Sequence, residues 1–357
     1  MKREMSLFLD AVRLVAAMTV FMGHFAFQRI SGSFMWPINV YSHEAVTVFF
    51  VLSGFVIAYA TEVKENGLPD YCVSRLARMY SVVLPAILLT VALDEIGNYL
   101  HPALYASWNW TSDLSFLRFF TALTFTNMLW SVDVRQGTNA AYWSMGYEVP
   151  YYVIFGIMTF CRSRWRYAYL IIAFVVVGPS IALAMFMWYA GVIAFQICKR
   201  DLISPKTGGY LFFGSILAWC IYEIIAWRVG RLIFPNSLNI RQEIIQDYFV
   251  ATFFMGILIG FNAAAAKYGG MLVKFSTEIR WAAGASFSIY LCHLPIMHFL
   301  VALLPWSVSD WRSRSVILLG TLFIIFLFAE LTERKKKPWH RFFGRFWNLP
   351  SRKTSSA

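Results

Sequence analysis

A series of apolar runs constrains this chain more than any other feature of its sequence. Each run has about 20 residues, the length at which one α-helix crosses the hydrocarbon core of a bilayer. Only 14% of the residues are charged, against about 25% in soluble domains, and no soluble core needs so many uninterrupted runs. The sequence therefore predicts an all-α integral membrane protein that crosses the membrane many times.

Ten of the runs are predicted to be transmembrane helices. They lie near residues 7–27, 44–61, 79–97, 142–160, 167–183, 184–198, 210–229, 247–266, 281–303 and 315–333. The fifth and sixth windows are only long enough to cross as a tight helical hairpin, with Pro179 near its turn. The shorter stretch 116–130, which contains Arg118, is expected to be a re-entrant or interfacial segment. We divide the chain into a transmembrane domain, 1–333, and a basic cytoplasmic tail, 334–357.

The basic residues set the orientation of the predicted bundle. The chain has 31 Lys and Arg against 19 Asp and Glu, a net charge of +12. If 116–130 does not cross, 23 of the basic residues fall on the side of the N-terminus and 8 on the other side. The positive-inside rule then places both termini in the cytoplasm. Since these charges lie in short loops and a tail, membrane lipid headgroups and cytoplasmic anions are the expected partners, rather than nucleic acid.

The five cysteines lie in or beside apolar runs and lack the close pairing that is typical of a zinc site or a disulfide framework. We interpret them as small hydrophobic residues. The sequence also contains no HExxH, Walker A or G-x-S-x-G motif. No bound metal is therefore expected.

Arg13 and His24 are the first candidate functional residues, because an ionisable group inside a bilayer usually marks a pathway or a site. They are eleven residues apart in the first predicted helix. At 100° per residue, this spacing returns to within about 20° of the same direction and separates the two by about 16 Å along the axis. The side chains are therefore expected to face one channel at two depths. Alternatively, Arg13 snorkels to the inner headgroups and His24 to the outer ones.

Two further arginines, Arg75 and Arg78, are three residues apart where the third predicted helix begins. That spacing places both guanidinium groups on one helix face. Two such groups can hold a phosphate or pyrophosphate by paired hydrogen bonds. The alternative is that they only anchor a cytoplasmic helix end, as the positive-inside rule leads one to expect.

Glu148 lies at the predicted outer start of the fourth helix and shares a face with Ser144 and Tyr152. A carboxylate at this position needs a partner. Three hypotheses remain open: it accepts a hydrogen bond from a histidine, it orients a sugar hydroxyl, or it pairs with Arg118 or Arg135.

Late in the chain, Ser286, Tyr290 and His293 share one face of a predicted helix. His293 is expected near the middle of the membrane. A single histidine that faces a helical bundle is usually an interhelical hydrogen-bonding residue, and we interpret His293 in that way.

Five motifs, taken in order, resemble acyltransferase family 3. They are LDAVRLVAAMTVFMGHF at 9–25, FFVLSGFVIAY at 49–59, RLARMY at 75–80, WSMGYEVPYY at 143–152 and SFSIYLCHLPI at 286–296. The members of this family are membrane O-acyltransferases that modify bacterial surface carbohydrates and related acceptors. The resemblance covers the chain from about residue 9 to residue 333, and the first three motifs together are specific.

The resemblance implies a cytoplasmic acyl-CoA donor, most often acetyl-CoA, and a carbohydrate or glycolipid acceptor at or beyond the bacterial inner membrane. It assigns importance to Arg13, His24, Arg75 and Arg78. We expect Arg75 and Arg78 to hold the CoA phosphates, Arg13 to meet the donor further in, and His24 to act as general base. Glu148 is predicted to join this catalytic group. Direct transfer in a ternary complex is the preferred hypothesis, and a covalent acyl intermediate is the alternative.

Two other classes of protein share some of these features. A secondary transporter of a small polar or anionic solute also has about ten helices with buried ionisable residues. The absence of a visible internal repeat and the cytoplasmic arginine pair argue against a transporter. A membrane scaffold without catalytic activity leaves the alignment of Arg13 with His24 unexplained.

Overall fold

The computed structural model describes residues 1–108, 115–130, 132–231 and 242–347. Within these ranges the regular structure is helical. The α-helices are α1 Arg3–Phe25, α2 Gln28–Ser31, α3 Asn39–Val63, α4 Leu68–Leu100, α5 Pro102–Ser107, α6 Ser115–Thr124, α7 Met145–Phe160, α8 Arg166–Val177, α9 Pro179–Arg200, α10 Pro205–Val229, α11 Ile244–Tyr268, α12 Gly270–Lys274, α13 Ser276–Ala283, α14 Ser286–Leu303, α15 Trp311–Leu331 and α16 Lys336–Arg345. The chain end from residue 348, part of the predicted tail, lies outside the described residues.

Eight helical segments among the described residues are long and apolar enough to cross a membrane. They are Arg3–Phe25, Trp36–Val63, Leu68–Leu100, Pro179–Arg200, Pro205–Val229, Ile244–Tyr268, Ser286–Leu303 and Trp311–Arg345. The two remaining predicted spans correspond to α7, with 16 residues, and α8, with 12 residues. These helices are about 24 and 18 Å long, shorter than the hydrocarbon core of about 30 Å. The chain is thus a multi-pass membrane protein, and its described residues form eight long helices and two short ones in the ten regions where spans were predicted.

The fifth and sixth predicted windows form a helical hairpin that turns where expected, but its two helices, α8 and α9, differ in length. Gly178 has a φ of +81°, and Pro179 is the first residue of α9. A positive φ suits glycine, and proline is well tolerated at a helix start, so the sequence breaks the helix at this pair. The break leaves α8 short and gives α9 a full spanning length of 22 residues.

The segment 116–130 does not form a helix of spanning length. The ten residues of α6 rise only about 15 Å, and turns follow as far as Trp130. The indole Nε1 of Trp130 donates to the carbonyl of Val175 at 2.6 Å, near the turn between α8 and α9. This geometry agrees with the re-entrant or interfacial segment that was expected.

The two ends of the described chain lie at the same end of the bundle. Lys2 contacts Asp201 at 3.4 Å, at the end of α9, and the ring of Phe343 in α16 packs 5.7 Å from that of Tyr80 in α4. We call this the basic end; it carries the N-terminus, the α3–α4 loop and α16. Eight or ten crossings are both even numbers, so either count is consistent with termini on one side.

The centre of the bundle is formed by α1, α3, α4, α9 and α14, while α10 packs mainly on α11 at the periphery. Two glycines allow α3 and α9 to touch. A Cβ atom on Gly54 would lie 1.9 Å from the carbonyl oxygen of Trp188, and one on Gly191 would lie 1.9 Å from that of Val51. Small residues that permit such close backbone contact are typical of helix pairs in membranes.

Candidate active site

A cavity of about 240 Å³ lies between α1, α3, α4, α7 and α14. We call it the inner cavity. Met1 and Lys64, both at the basic end, contribute to its wall, and Arg13, Arg78 and Glu148 line it further in. Three of the five predicted site residues, which are far apart in the sequence, therefore meet in one space.

Arg13 lines the inner cavity. Its Nη2 donates to the carboxylate of Asp10 at 2.8 Å, three residues earlier on α1, and lies 3.4 Å from the carbonyl oxygen of Ala283. Its Nε is buried and has no hydrogen-bond partner among the described residues. These contacts hold the side chain within the bundle, whereas His24, its expected companion in one channel, does not line this cavity.

Arg78 lines the same cavity, and in the described part of the chain its side chain makes no hydrogen bond or ion pair. Together, Arg13, Arg78 and Lys64 place three positive groups around the inner cavity, against the carboxylates of Asp10 and Glu148. An excess of positive charge in a cleft with low-dielectric walls favours an anionic ligand.

Arg75 lies elsewhere. It donates to Glu65 Oε1 at 2.7 Å in an ion pair whose side chains are 11% and 3% exposed, and it packs over the ring of Tyr71 at 4.9 Å. It also lines a separate, apolar cavity beside α4 and α7. Because a spacing of three residues leaves about 60° between two side chains on a helix, the predicted pair with Arg78 divides between two sides of α4.

Glu148 has its hydrogen-bond partners within the bundle. Its Oε1 accepts from the hydroxyl of Ser53 at 2.8 Å and from that of Tyr152. The Ser53 oxygen in turn accepts from Nε1 of Trp188 at 3.1 Å. This chain of bonds fixes the carboxylate in the cavity wall, where Ser144 and Tyr152 also lie, as their predicted common face requires.

The arginines that were considered as partners of Glu148 line a different space. Arg118 and Arg135 contribute to a second cavity, of about 330 Å³, at the end of the bundle opposite the basic end. Arg29, Trp108 and His298 also line it. We call this the outer cavity.

His24 is hydrogen-bonded to His293, which lies on α14. The distance from His24 Nδ1 to His293 Nε2 is 2.7 Å. His293 Nδ1 lies 2.8 Å from the carbonyl oxygen of Ile289, one turn earlier. The sequence interpretation of His293 as an interhelical hydrogen-bonding residue agrees with this contact, but nothing in the sequence identified His24 as the partner.

These contacts determine which nitrogen of His24 carries a lone pair. A carbonyl oxygen only accepts, so Nδ1 of His293 carries a hydrogen atom, and Nε2 of the neutral ring is an acceptor. His24 must then donate from Nδ1. Its Nε2 therefore carries the lone pair that can accept a proton. The assignment follows from the hydrogen-bond network.

The histidine pair lies between the two cavities along α14. Tyr290, which donates to Ser144 at 2.8 Å, lines the inner cavity. His293 is about 4.5 Å further along the helix axis, and His298 another 7.5 Å. Since His298 lines the outer cavity, the histidine pair lies between the two cavities along the helix axis.

Glu333 holds the start of α14 in place. Its carboxylate accepts from the backbone N–H and the hydroxyl of Ser288, both at 2.9 Å. The first N–H groups of a helix have no partner within the helix, and a carboxylate also interacts favourably with the helix dipole there. Glu333 therefore positions the helix that carries His293.

Comparison with known proteins agrees with the motifs. A family model described as an acyltransferase domain matches residues 6–330, a range that includes Arg13, His24, Glu148 and His293. The chain is also 21% identical to "Nodulation protein 10" of Rhizobium leguminosarum bv. viciae, with 91% of each sequence covered. No solved structure matches the chain.

Proposed function

We propose that this chain, which belongs to acyltransferase family 3, transfers an acyl group from cytoplasmic acyl-CoA to a hydroxyl group of a carbohydrate or glycolipid. Family membership supports acyl transfer to an acceptor of the carbohydrate type. The observation that carries the finer proposal is the position of the His24–His293 pair between two cavities that lie toward opposite ends of the bundle.

The donor is proposed to occupy the inner cavity. Arg78 and Lys64 are suited to the phosphates of CoA, and Arg13 lies further along the same wall. Acetyl-CoA is the donor we propose to test first. Arg75, which is bonded to Glu65, is proposed to support the end of α4 from behind, so that Arg78 faces the cavity.

Transfer is proposed to use His24 as the general base. Nε2 of His24 takes the proton of the acceptor hydroxyl as its oxygen attacks the thioester carbonyl carbon. The new carbon–oxygen bond forms, the carbon–sulfur bond breaks, and the CoA thiolate recovers the proton from His24. His293 keeps Nδ1 of His24 protonated throughout, and is therefore a positioning residue.

Glu148 is proposed to act on the donor side. Its bonds to Ser53 and Tyr152 orient both hydroxyl groups at the cavity wall. This role differs from pairing with Arg118 or Arg135, since those arginines line the outer cavity. We place the protein in a bacterial cytoplasmic membrane, with its basic end in the cytoplasm, on the positive-inside rule.

The test is transfer of labelled acetyl groups from acetyl-CoA to acidic and neutral oligosaccharides by the full chain, purified in neutral detergent. A transporter gives no signal in this assay, because transport forms no covalent bond between the acetyl group and an oligosaccharide. We expect product with at least one oligosaccharide, in amounts that depend on His24. The absence of acetyl-CoA-dependent product, in a preparation that still binds acetyl-CoA, would contradict the proposal.

A further inference from the structure

The outer cavity has a composition that catalysis by His24 does not explain. Three arginines, Arg29, Arg118 and Arg135, line it, while Asp133 is the acidic residue in its described wall. They come from α2, α6 and the loop before α7, so the fold brings together charges that are remote in the sequence. A space with this excess of positive charge attracts anions.

His298 supplies a second observation that points to a ligand. The residue is only 1% exposed, and its Nδ1 lies 2.8 Å from the carbonyl oxygen of Leu294. Nδ1 is therefore the donor, and Nε2 carries a lone pair. Among the described residues this buried Nε2 has no hydrogen-bond partner, although its side chain lines the cavity. A buried polar atom without a partner is costly, so a ligand O–H or N–H that reaches it gains affinity.

The cavity wall is fixed by the fold. Asp94 on α4 accepts from the backbone N–H of Thr138 at 2.9 Å and from its hydroxyl at 2.6 Å. Asn139 donates to the carbonyl of Leu291 on α14 at 2.7 Å. Gly137, with a φ of +54°, allows the loop to pass close to Asp94. A wall that is ordered before binding lowers the entropic cost of holding a ligand.

The arginines at the cavity differ in their partners. Arg135 contacts Asp133 at 3.4 Å, whereas Arg29 makes no ion pair with the described residues and packs over the ring of Phe27 at 5.5 Å. Partial burial, with the positive charge of Arg135 nearby, lowers the pKa of Arg29 below its ordinary value. Two like charges facing one space are stabilised when an anion binds between them.

We propose that the outer cavity binds an acidic unit of the acceptor carbohydrate. A carboxylate or phosphate group of the sugar lies between Arg29 and Arg135, and a hydroxyl of the same unit donates to Nε2 of His298. A neutral sugar leaves Arg29 without a counter-charge, and chloride or sulfate offers Nε2 no donor. An acidic sugar satisfies both. The assignment of this sugar as the acceptor rests on the proposed function, whereas its binding to the outer cavity does not.

The first experiment measures binding without acyl-CoA, using the full chain in neutral detergent. The probes are a glucuronic-acid-containing disaccharide and the same disaccharide with its carboxyl group reduced to an alcohol. We expect the acidic probe to bind at least about tenfold more tightly, and the preference to vanish in the R29Q/R135Q variant. R228Q, which removes an arginine that packs on Trp227 at the same end, is the matched control and keeps the preference. Equal binding of the two probes by the unchanged chain, or a preference retained by R29Q/R135Q, would overturn the proposal.

A second pair of variants tests His298. The amide nitrogen of Asn takes the position of Nδ1, whereas the end of a Gln side chain takes the position of Nε2. We therefore expect H298N to weaken binding of both probes, and H298Q to restore it, at similar thermal stability. Unchanged binding by H298N, or an equal loss in both variants, would remove Nε2 from the site.

The negatively charged headgroup of a lipid is the competing occupant, since phosphatidylglycerol also joins a phosphate to hydroxyl groups. The acidic probe is therefore titrated in nanodiscs of phosphatidylcholine and in nanodiscs that also contain phosphatidylglycerol. We expect the same affinity in both. Displacement of the probe by phosphatidylglycerol would overturn the carbohydrate assignment. Because no step involves acyl transfer, acidic-probe binding by a chain that transfers nothing would contradict the proposed function alone.

Discussion

The inner and outer cavities both collect arginines, but the fold builds them in different ways. The inner cavity takes Arg13, Arg78 and Glu148 from the helices α1, α4 and α7, and the outer cavity takes Arg29 from α2 and Arg135 from a loop. Packing between regular helices brings the residues of the first site together, whereas a loop held by contacts with distant segments shapes the second. In the proposed function each substrate has its own cavity, and the histidine pair lies between the two cavities.

The assignment of one cavity to each substrate requires that the two cavities face opposite sides of the membrane. We expect a cysteine at exposed Val132, near the outer cavity, to react with a membrane-impermeant maleimide on intact cells. A cysteine at Ser163, at the basic end, should react only after permeabilisation. The five native cysteines are replaced first, since Cys161 and Cys220 are at least partly exposed. Labelling with the opposite pattern would invert the orientation and place the donor outside.

Loss of the base is expected to have the largest effect on activity. His24→Ala removes Nε2, and loss of a general base costs about 10²- to 10⁴-fold in rate. Binding of acetyl-CoA and of the acidic disaccharide should be unchanged, because His24 lines neither cavity. His101→Ala is the control: it replaces an exposed histidine at the end of the bundle opposite the basic end, and we expect it to keep full activity. A well-folded His24→Ala protein with normal kcat would exclude the mechanism.

His293 should matter through the hydrogen bond that it accepts. His293→Ala leaves Nδ1 of His24 without its acceptor, so both tautomers of His24 become accessible and kcat falls by about tenfold or more, with both KM values unchanged. His293→Gln places an amide oxygen near the position of Nε2 and should recover most of the rate. If Gln were no better than Ala at equal stability, His293 would be a packing residue.

The two arginines of α4 sharpen the comparison further, since only one lines the inner cavity. Arg78→Gln is expected to raise the KM for acetyl-CoA by at least about tenfold, equivalent to 1.4 kcal/mol, with little change in thermal stability. Arg75→Gln instead leaves Glu65 buried without its charge partner, and we expect it to cost about 3 to 5 kcal/mol of stability while the folded fraction keeps its donor KM. The reverse assignment of effects would return the CoA site to Arg75.

These arginines also show how far the sequence leads. Hydrophobic period and length identify the long helices. The two residues at the eleven-residue spacing in α1 have different partners: Arg13 contacts the carbonyl of Ala283 in α13, and His24 contacts His293 in α14. A spacing of three residues is less informative: it is compatible with one shared surface and also with the observed division, which buried Glu65 determines by binding Arg75. The spacing of two arginines along a helix does not reveal that the fold places Glu65 beside one of them.

The outer cavity lies beyond local patterns for the same reason. Its loop takes its shape from Asp94 and Leu291, which are 44 and 152 residues away from the groups they bind. His298 follows His293 in the sequence without belonging to its helix face, since five residues turn the side chain by about 140°. The lengths of α7 and α8 were overestimated, because an apolar run indicates burial in lipid or in protein and does not fix where the helix begins and ends.

The smallest expected effect concerns Glu148, and it tests whether the inner cavity only binds the donor. In Glu148→Gln the amide oxygen still accepts from Ser53 or Tyr152, so the wall keeps its shape and loses mainly a charge-assisted bond. A loss of about 1 kcal/mol corresponds to about a fivefold lower kcat/KM. Ser53→Ala should give a similar decrease, because it removes the donor at 2.8 Å. If both residues act through this contact, the double variant should be no less active than the less active of the two single variants. A loss in Glu148→Gln as large as that in His24→Ala would mean that Glu148 transfers a proton, and the chemistry would then extend into the inner cavity.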